Sequence, residues 1–126
     1  MDIPKDLKYT KEHEWVRVEG DVVTIGITDF AQDQLSDIVY LELPDVGTKV
    51  EQTKSLGTIE AVKAVSDIFA PVSGEVIEVN EDAKSLPEVV NKEPYGSGWM
   101  VKIKLSNLEE VKGLLSPDEY EKLLGD

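Results

Sequence analysis

Residues 57–67, Gly57-Thr58-Ile59-Glu60-Ala61-Val62-Lys63-Ala64-Val65-Ser66-Asp67, set one lysine between two apolar, strand-forming arms. Runs of this length bounded by polar residues read as strands, Leu56 to Val62 before the lysine and Ala64 to Phe69 after it. Burying a lone ammonium between such strands costs several kcal/mol. The less costly arrangement puts Lys63 at the exposed tip of a hairpin. Val62 and Ala64 then stand beside it, with Glu60 and Asp67 at the bases of the arms. The pattern alone leaves two readings open, an ordinary solvated hairpin lysine and a lysine with a job.

Short strands with turn punctuation continue on both sides. Glu14 to Val18 and Val22 to Ile27 flank Glu19-Gly20-Asp21, a hairpin signal. Thr28 to Leu35 reads as a short helix capped by Thr28 or Asp29, with Phe30, Ala31 and Leu35 inward. Ile38 to Leu43 alternates and stops at Pro44-Asp45, which predicts Val39, Leu41 and Leu43 on one face. Thr48 to Val50 and Gly74 to Val79 add strands, the second with Val76 opposed to a shared face of Ile77 and Val79. Glu81 to Gly98 reads as irregular, with Ser85 and Glu88 spaced to cap one helical turn. Trp99, Val101, Ile103 and Leu105 alternate with Met100, Lys102 and Lys104, a strand with a wet outer face.

After Leu105 the period becomes helical. Ser106 with Glu109, and Ser116 with Glu119, have capping-box spacing, and Pro117 takes the favoured first helical position. Leu108, Val111 and Leu115 share one face, as do Tyr120, Leu123 and Leu124. The expectation is an all-β-dominated single domain over 1–126, with short helices that include two at about 107–124.

A chain of 126 residues can bury a modest core without disulfides. Asp plus Glu number 26 against 13 Lys plus Arg, so the formal net charge is −13. That field repels phosphate backbones and anionic lipid, which argues against nucleic acid and membrane partners. It suits either docking onto basic protein patches or simple solubility. The absence of cysteine removes disulfides, thiolate metal sites and Cys nucleophiles together. Met1 to Tyr9 has no signal-peptide core, and no run approaches a membrane span. A cytoplasmic protein is expected, or one of the mitochondrial matrix if a transit peptide has been removed. The single histidine, His13, cannot build a multi-His metal site, and no nucleophile elbow surrounds any serine. The glycines form no phosphate or dinucleotide loop. His13 reads as a packing residue and the chain as a non-enzyme, with no catalytic and no metal-binding residue.

Glu60-Ala61-Val62-Lys63-Ala64-Val65-Ser66-Asp67 resembles the lipoylation motif of the glycine cleavage system H-protein family. Other blocks resemble that family in order: His13-Glu14-Trp15-Val16, Ile25 to Gln32, Asp37-Ile38-Val39-Tyr40, and Leu43-Pro44 with Val46-Gly47. Ala70-Pro71 with Ser73 to Val76, and Pro94-Tyr95 with Gly98-Trp99-Met100, complete the set. The resemblance runs from about Leu7 to the C-terminus. Ala61 departs from it where serine is frequent, and Ser36 where glycine is common. The first bears on recognition by the lipoylating enzyme, the second on one turn.

The resemblance implies a lipoyl-domain-like barrel-sandwich hybrid of two small antiparallel sheets, with lipoate in amide linkage to Lys63. It implies a carrier, for which a monomer suits the shuttling, that takes an aminomethyl group from a pyridoxal-phosphate glycine decarboxylase to a tetrahydrofolate-dependent aminomethyltransferase. Electrons then pass to an FAD-containing dihydrolipoyl dehydrogenase. The difficult chemistry belongs to the partners' cofactors, and the arm supplies proximity. Where the loaded arm folds back on the body, a carboxylate is expected to pair with the carried amine. Glu14 and Asp67 are the candidates, with Glu12 third. A 2-oxoacid dehydrogenase lipoyl domain typically presents Asp-Lys-Ala, and a biotin carrier flanks its lysine with methionines, unlike Val62 and Ala64 here. A non-carrier module that has lost lipoylation, and a relay of lipoyl groups to other proteins, are the remaining alternatives.

Overall fold

The computed structural model describes residues 2–125. Its strands are β1 (Lys8–Tyr9), β2 (Glu14–Glu19), β3 (Val22–Ile27), β4 (Ile38–Glu42), β5 (Lys49–Val50), β6 (Ser55–Ala61), β7 (Val65–Phe69), β8 (Gly74–Val79) and β9 (Val101–Leu105). Its helices are α1 (Asp29–Leu35), α2 (Glu81–Ser85), α3 (Val89–Lys92), α4 (Glu109–Lys112) and α5 (Pro117–Leu123). The strands form two antiparallel sheets, one of six strands in the order β1-β2-β3-β9-β8-β5 and one of three in the order β4-β6-β7. Val16, Ile25 and Ile103 of the larger sheet and Leu41, Ile59 and Ile68 of the smaller one bury into a common core. Among the described residues the two sheets do not join into a closed barrel.

Local chemistry explains most of the element ends. The β2–β3 hairpin turns at Gly20-Asp21 with Gly20 at φ 69, the positive φ that a II′ turn needs at its first central residue. The Thr28 hydroxyl accepts the Ala31 N–H at 3.2 Å to start α1, while Ala31 and Leu35 pack against the core. Phe30 lies against the His13 ring, with centroids 4.7 Å apart, and His13 Nδ1 meets the Tyr120 hydroxyl at 2.9 Å. His13 is therefore a packing residue. The capping box at α5 forms in full: Ser116 Oγ accepts the Glu119 N–H at 3.2 Å, and Glu119 accepts the Ser116 N–H at 2.8 Å.

Strict alternation fails where a ladder slips. The β4 register shifts between Ile38 and Tyr40, so Val39 and Tyr40 both face outward and Ile38 and Leu41 face the core. Val39 thus does not share a face with Leu41. A second shift between Val76 and Glu78 leaves Ile77 exposed and returns Val79 to the core side. Met100 is fully buried, not on a wet face. It precedes β9, where its N–H donates to Ile25 and its carbonyl accepts from Asn80.

The helical segments differ from expectation for equally local reasons. Glu81 to Gly98 is not irregular throughout: Asn80 Oδ1 accepts the Ala83 N–H at 3.2 Å and caps α2, and Ala83 and Val90 anchor α2 and α3 in the core. Ser85 ends α2 and so cannot cap a turn with Glu88. Ser106 does not cap α4, because its N–H still donates to the Ser73 carbonyl at 3.1 Å. Asn107 Oδ1 takes the Glu109 N–H instead, at 3.0 Å, and Leu108 is left exposed. On α5, Tyr120 is buried and Leu124 packs beside it, while Leu123 sits on the flank and is exposed. Ser36 closes α1 at φ 66 and ψ −149, a conformation that favours glycine, which explains why a departure from glycine there bears on the turn.

Candidate functional site

Lys63 lies where β6 gives way to β7. The two strands pair from Ser55↔Phe69 to Glu60↔Val65, and the Ala61 N–H donates to the Ala64 carbonyl at 2.7 Å. Val62 and Lys63 are left as the two residues of the turn. Two supports fix its backbone. The Val62 N–H donates to the Asp37 carbonyl at 3.0 Å, tying the tip to the segment that enters β4. Asn91 of α3 holds that segment, accepting the Ile38 N–H at 3.0 Å and donating to the Ser36 carbonyl at 2.8 Å. Gly57 lets β6 lie close to β4, since a Cβ there would strike the Glu42 carbonyl.

The Lys63 side chain itself is exposed and forms no ion pair among the described residues. Val62 and Ala64 beside it are exposed and uncharged. An open primary amine on a fixed turn is suited to carry an acyl group in amide linkage. Glu60 stands opposite Val65, next to the turn. Asp67 pairs with Thr58 further down, where the Ser55 hydroxyl donates to its carboxylate at 3.1 Å.

A cleft of about 350 Å³ opens between β1, the start of β2, the end of β7 and the chain that follows α4. Glu14 and Glu12 line it, with Tyr9, Thr10, Phe69 and Leu115 among its walls. The C-terminal wall is held by a pair of backbone bonds between Tyr9 and Leu115, at 2.9 and 2.8 Å. Glu14 is 2% exposed. Its carboxylate accepts from the Thr10 hydroxyl at 2.5 Å and from the Phe69 N–H at 3.3 Å. A carboxylate has about four acceptor positions, so room remains for another donor. Burial pushes the Glu14 carboxyl up to about 7, against the two hydrogen bonds that favour its ionised form. Of the carboxylates expected near the carried amine, the structure brings Glu14 and Glu12 together and leaves Asp67 outside the cleft. Thr10, Phe69 and Leu115 are not among the site residues expected from the sequence; only Thr10, four residues before Glu14, offers a local signal.

A model of the glycine cleavage H-protein family matches residues 7–126. The chain belongs to that family. A glycine cleavage system H protein of Carboxydothermus hydrogenoformans is 57% identical over 122 residues, covering 97% of this chain and 94% of its own. That of Staphylococcus carnosus is 52% identical over the whole of both chains. The crystal structure of a glycine cleavage system H protein from Mycobacterium marinum superposes with a TM-score of 0.91 at 38% identity, covering 98% of this chain and all of that one. Membership supports a carrier role in glycine cleavage and implies a lipoyl cofactor.

The buried carboxylate of this H-protein family member gives stability a definite pH dependence. The folded chain holds the Glu14 proton up to about 7 against an ordinary 4.5, so it binds that proton more tightly than the unfolded chain. The resulting stability is fully present below about pH 4.5 and is lost as pH rises through 7. Glu14→Gln lacks this loss. Its stability relative to the parent should rise by about 3 kcal/mol between about pH 4 and pH 8, read from denaturant midpoints. A difference that stays flat with pH would show that burial does not hold the proton.

Proposed function

We propose that this chain is a lipoyl carrier of the glycine cleavage system with Lys63 as its attachment site. The observation that carries the reading is the tip: an exposed amine, without an ion-pair partner among the described residues, on a two-residue turn fixed by Ala64, Asp37 and Asn91. Val62 and Ala64 place no charge beside it, and Glu60 and Asp67 flank it. Attached there, a lipoyl group would supply a dithiolane disulfide that is reduced as it takes up a one-carbon amine and that later gives up those two electrons on reoxidation.

The chain's own residues do the rest. The fixed tip orients Lys63, and acylation removes its charge, so the acidic body no longer attracts it. Glu14 receives the carried amine in the cleft, with Glu12 second, while Tyr9, Phe69 and Leu115 exclude water. Half-ionised near neutral pH, Glu14 becomes fully charged when a cation is placed beside it. β7 connects the two parts, since Val65 beside the tip and Phe69 at the cleft wall lie roughly 13 Å apart along the strand. The partners on this reading are the pyridoxal-phosphate glycine decarboxylase, the tetrahydrofolate-dependent aminomethyltransferase, the FAD-containing dihydrolipoyl dehydrogenase and a lipoylating enzyme. The relatives compared above are bacterial, which suits a carrier at work in the cytoplasm, and a monomer suits its shuttling between those enzymes.

In an assay reconstituted from those enzymes, Lys63→Arg should abolish glycine-dependent NADH formation while changing stability by no more than about 0.5 kcal/mol. Turnover that survives in the variant would overturn the attachment site. Glu14→Gln should still be lipoylated but should shorten the lifetime of the loaded carrier. An unchanged lifetime would remove the cleft from the mechanism and leave Lys63 in place.

A further inference from the structure

Two of the cleft's walls lie outside the sheets. Gln52 and Thr53 with Ala70 and Pro71 make one, and the chain from Gly113 to Leu115 makes the other. Cross-bonds turn the first into a single unit: the Thr53 N–H donates to the Ala70 carbonyl at 2.8 Å, and the Gln52 side-chain amide to the Pro71 carbonyl at 3.0 Å. The second is carried by α4, since the Gly113 and Leu114 N–H groups donate to the Glu110 and Val111 carbonyls. With four residues α4 is too short to be helical on its own, so its placement rests on what fastens it. Val111 and Leu114 pack on the core. Leu115 pairs with Tyr9 at the far end of the wall, and Glu110 stands at the near end.

The half-buried Glu110 turns its carboxylate onto the first wall. One oxygen accepts the Ser73 N–H at 2.7 Å and the other accepts the Ser73 hydroxyl at 2.9 Å. Ser73 Oγ in turn accepts the Gln52 N–H at 2.9 Å. Hydrogen bonds to a carboxylate are roughly twice as strong as neutral ones, and a pair of them from one residue also fixes orientation. No cation pairs with Glu110 among the described residues, so Ser73 is what its charge is spent on. Gln52, Ser73 and Glu110 thus form a side-chain tie from one wall to the other. On the reading that the cleft shields the loaded arm, we propose that Glu110 is a positioning residue: through Ser73 it sets the spacing of the two walls and so keeps water from the carried carbon. Glu110 does not itself line the cleft. What it limits is loss of the cargo, in which water adds its oxygen to that carbon, the carbon–sulfur and carbon–nitrogen bonds break, and formaldehyde, ammonia and the free thiol leave.

The test loads the lipoylated full-length chain with glycine and the decarboxylase, removes the enzyme, and follows the release of ammonia and thiol. Glu110→Ala should shorten the lifetime of the loaded carrier about tenfold. Ser73→Ala keeps the N–H bond and loses the hydroxyl, so about a threefold loss is expected, and it serves where Glu110→Ala folds poorly. Glu110→Gln retains an acceptor for the Ser73 N–H and offers its amide to Ser73 Oγ. It should restore the lifetime to within about twofold of the parent. Lipoylation at Lys63 should proceed at the parent's rate in all three. Ala83→Gly, which weakens α2 away from the cleft, should leave the lifetime unchanged. Lifetimes unmoved by Glu110→Ala and Ser73→Ala, beside a shortened one in Glu14→Gln, overturn the role of Glu110 and leave the cleft standing. Equal shortening in Ala83→Gly, or lipoylation slowed in step with the lifetime, overturns it too, because Glu110 would then serve the fold at large. A lifetime that none of these variants changes, Glu14→Gln included, overturns the cleft reading and this proposal with it.

Discussion

A lone ammonium cannot be left inside an apolar sandwich without several kcal/mol of desolvation, and the arrangement around Lys63 follows from that cost. The strands on either side of it are core strands, burying Ile59 and Ile68 almost completely. The lysine is therefore placed at the one point between them where the chain reverses. Exposure alone would leave it on a loose loop. The Ala61–Ala64 bond, the Val62–Asp37 bond and the Asn91 clamp together fix the turn, so that its backbone is as well held as the sheet beneath it. The result joins two properties that seldom coincide, a rigid base and a free side chain.

The cleft obeys the same electrostatics with the opposite outcome. Glu14 is a charge-bearing group that the fold does bury, and it remains tolerable because Thr10 and the Phe69 amide hydrogen-bond it and because it can hold its proton up to about 7. Such a group is poised to respond to an incoming cation, since bringing a positive charge beside it stabilises the ionised form. An exposed carboxylate such as Asp67 is already solvated and gains far less from the same approach. Burial, more than the mere presence of acids in a chain of formal net charge −13, sets Glu14 apart.

The tip was legible in the sequence because desolvation cost and strand pattern together left only one comfortable place for Lys63. The α5 cap was legible for a comparable reason, since Ser116, Pro117 and Glu119 carry their geometry within four residues. The cleft was not. Its walls come from β1, the end of β7 and the chain after α4, and the Tyr9–Leu115 bridge that closes it joins positions no local period connects. The faces of Val39 and Val79 were misread because alternation assumes an unbroken ladder, whereas each strand takes an extra residue. Ser106 was misread because capping spacing does not reveal that a residue is still bonded to the sheet.

The most direct test of the central claim is to map where lipoate becomes attached. The full chain would be incubated with lipoate, ATP and a lipoate–protein ligase, then digested and sequenced by tandem mass spectrometry. If the fixed tip is the carrier site, a single lipoyl amide should be found on Lys63 and none on any other lysine. A lipoyl group on a different lysine, or none while a known lipoyl domain in the same tube is modified, would contradict it.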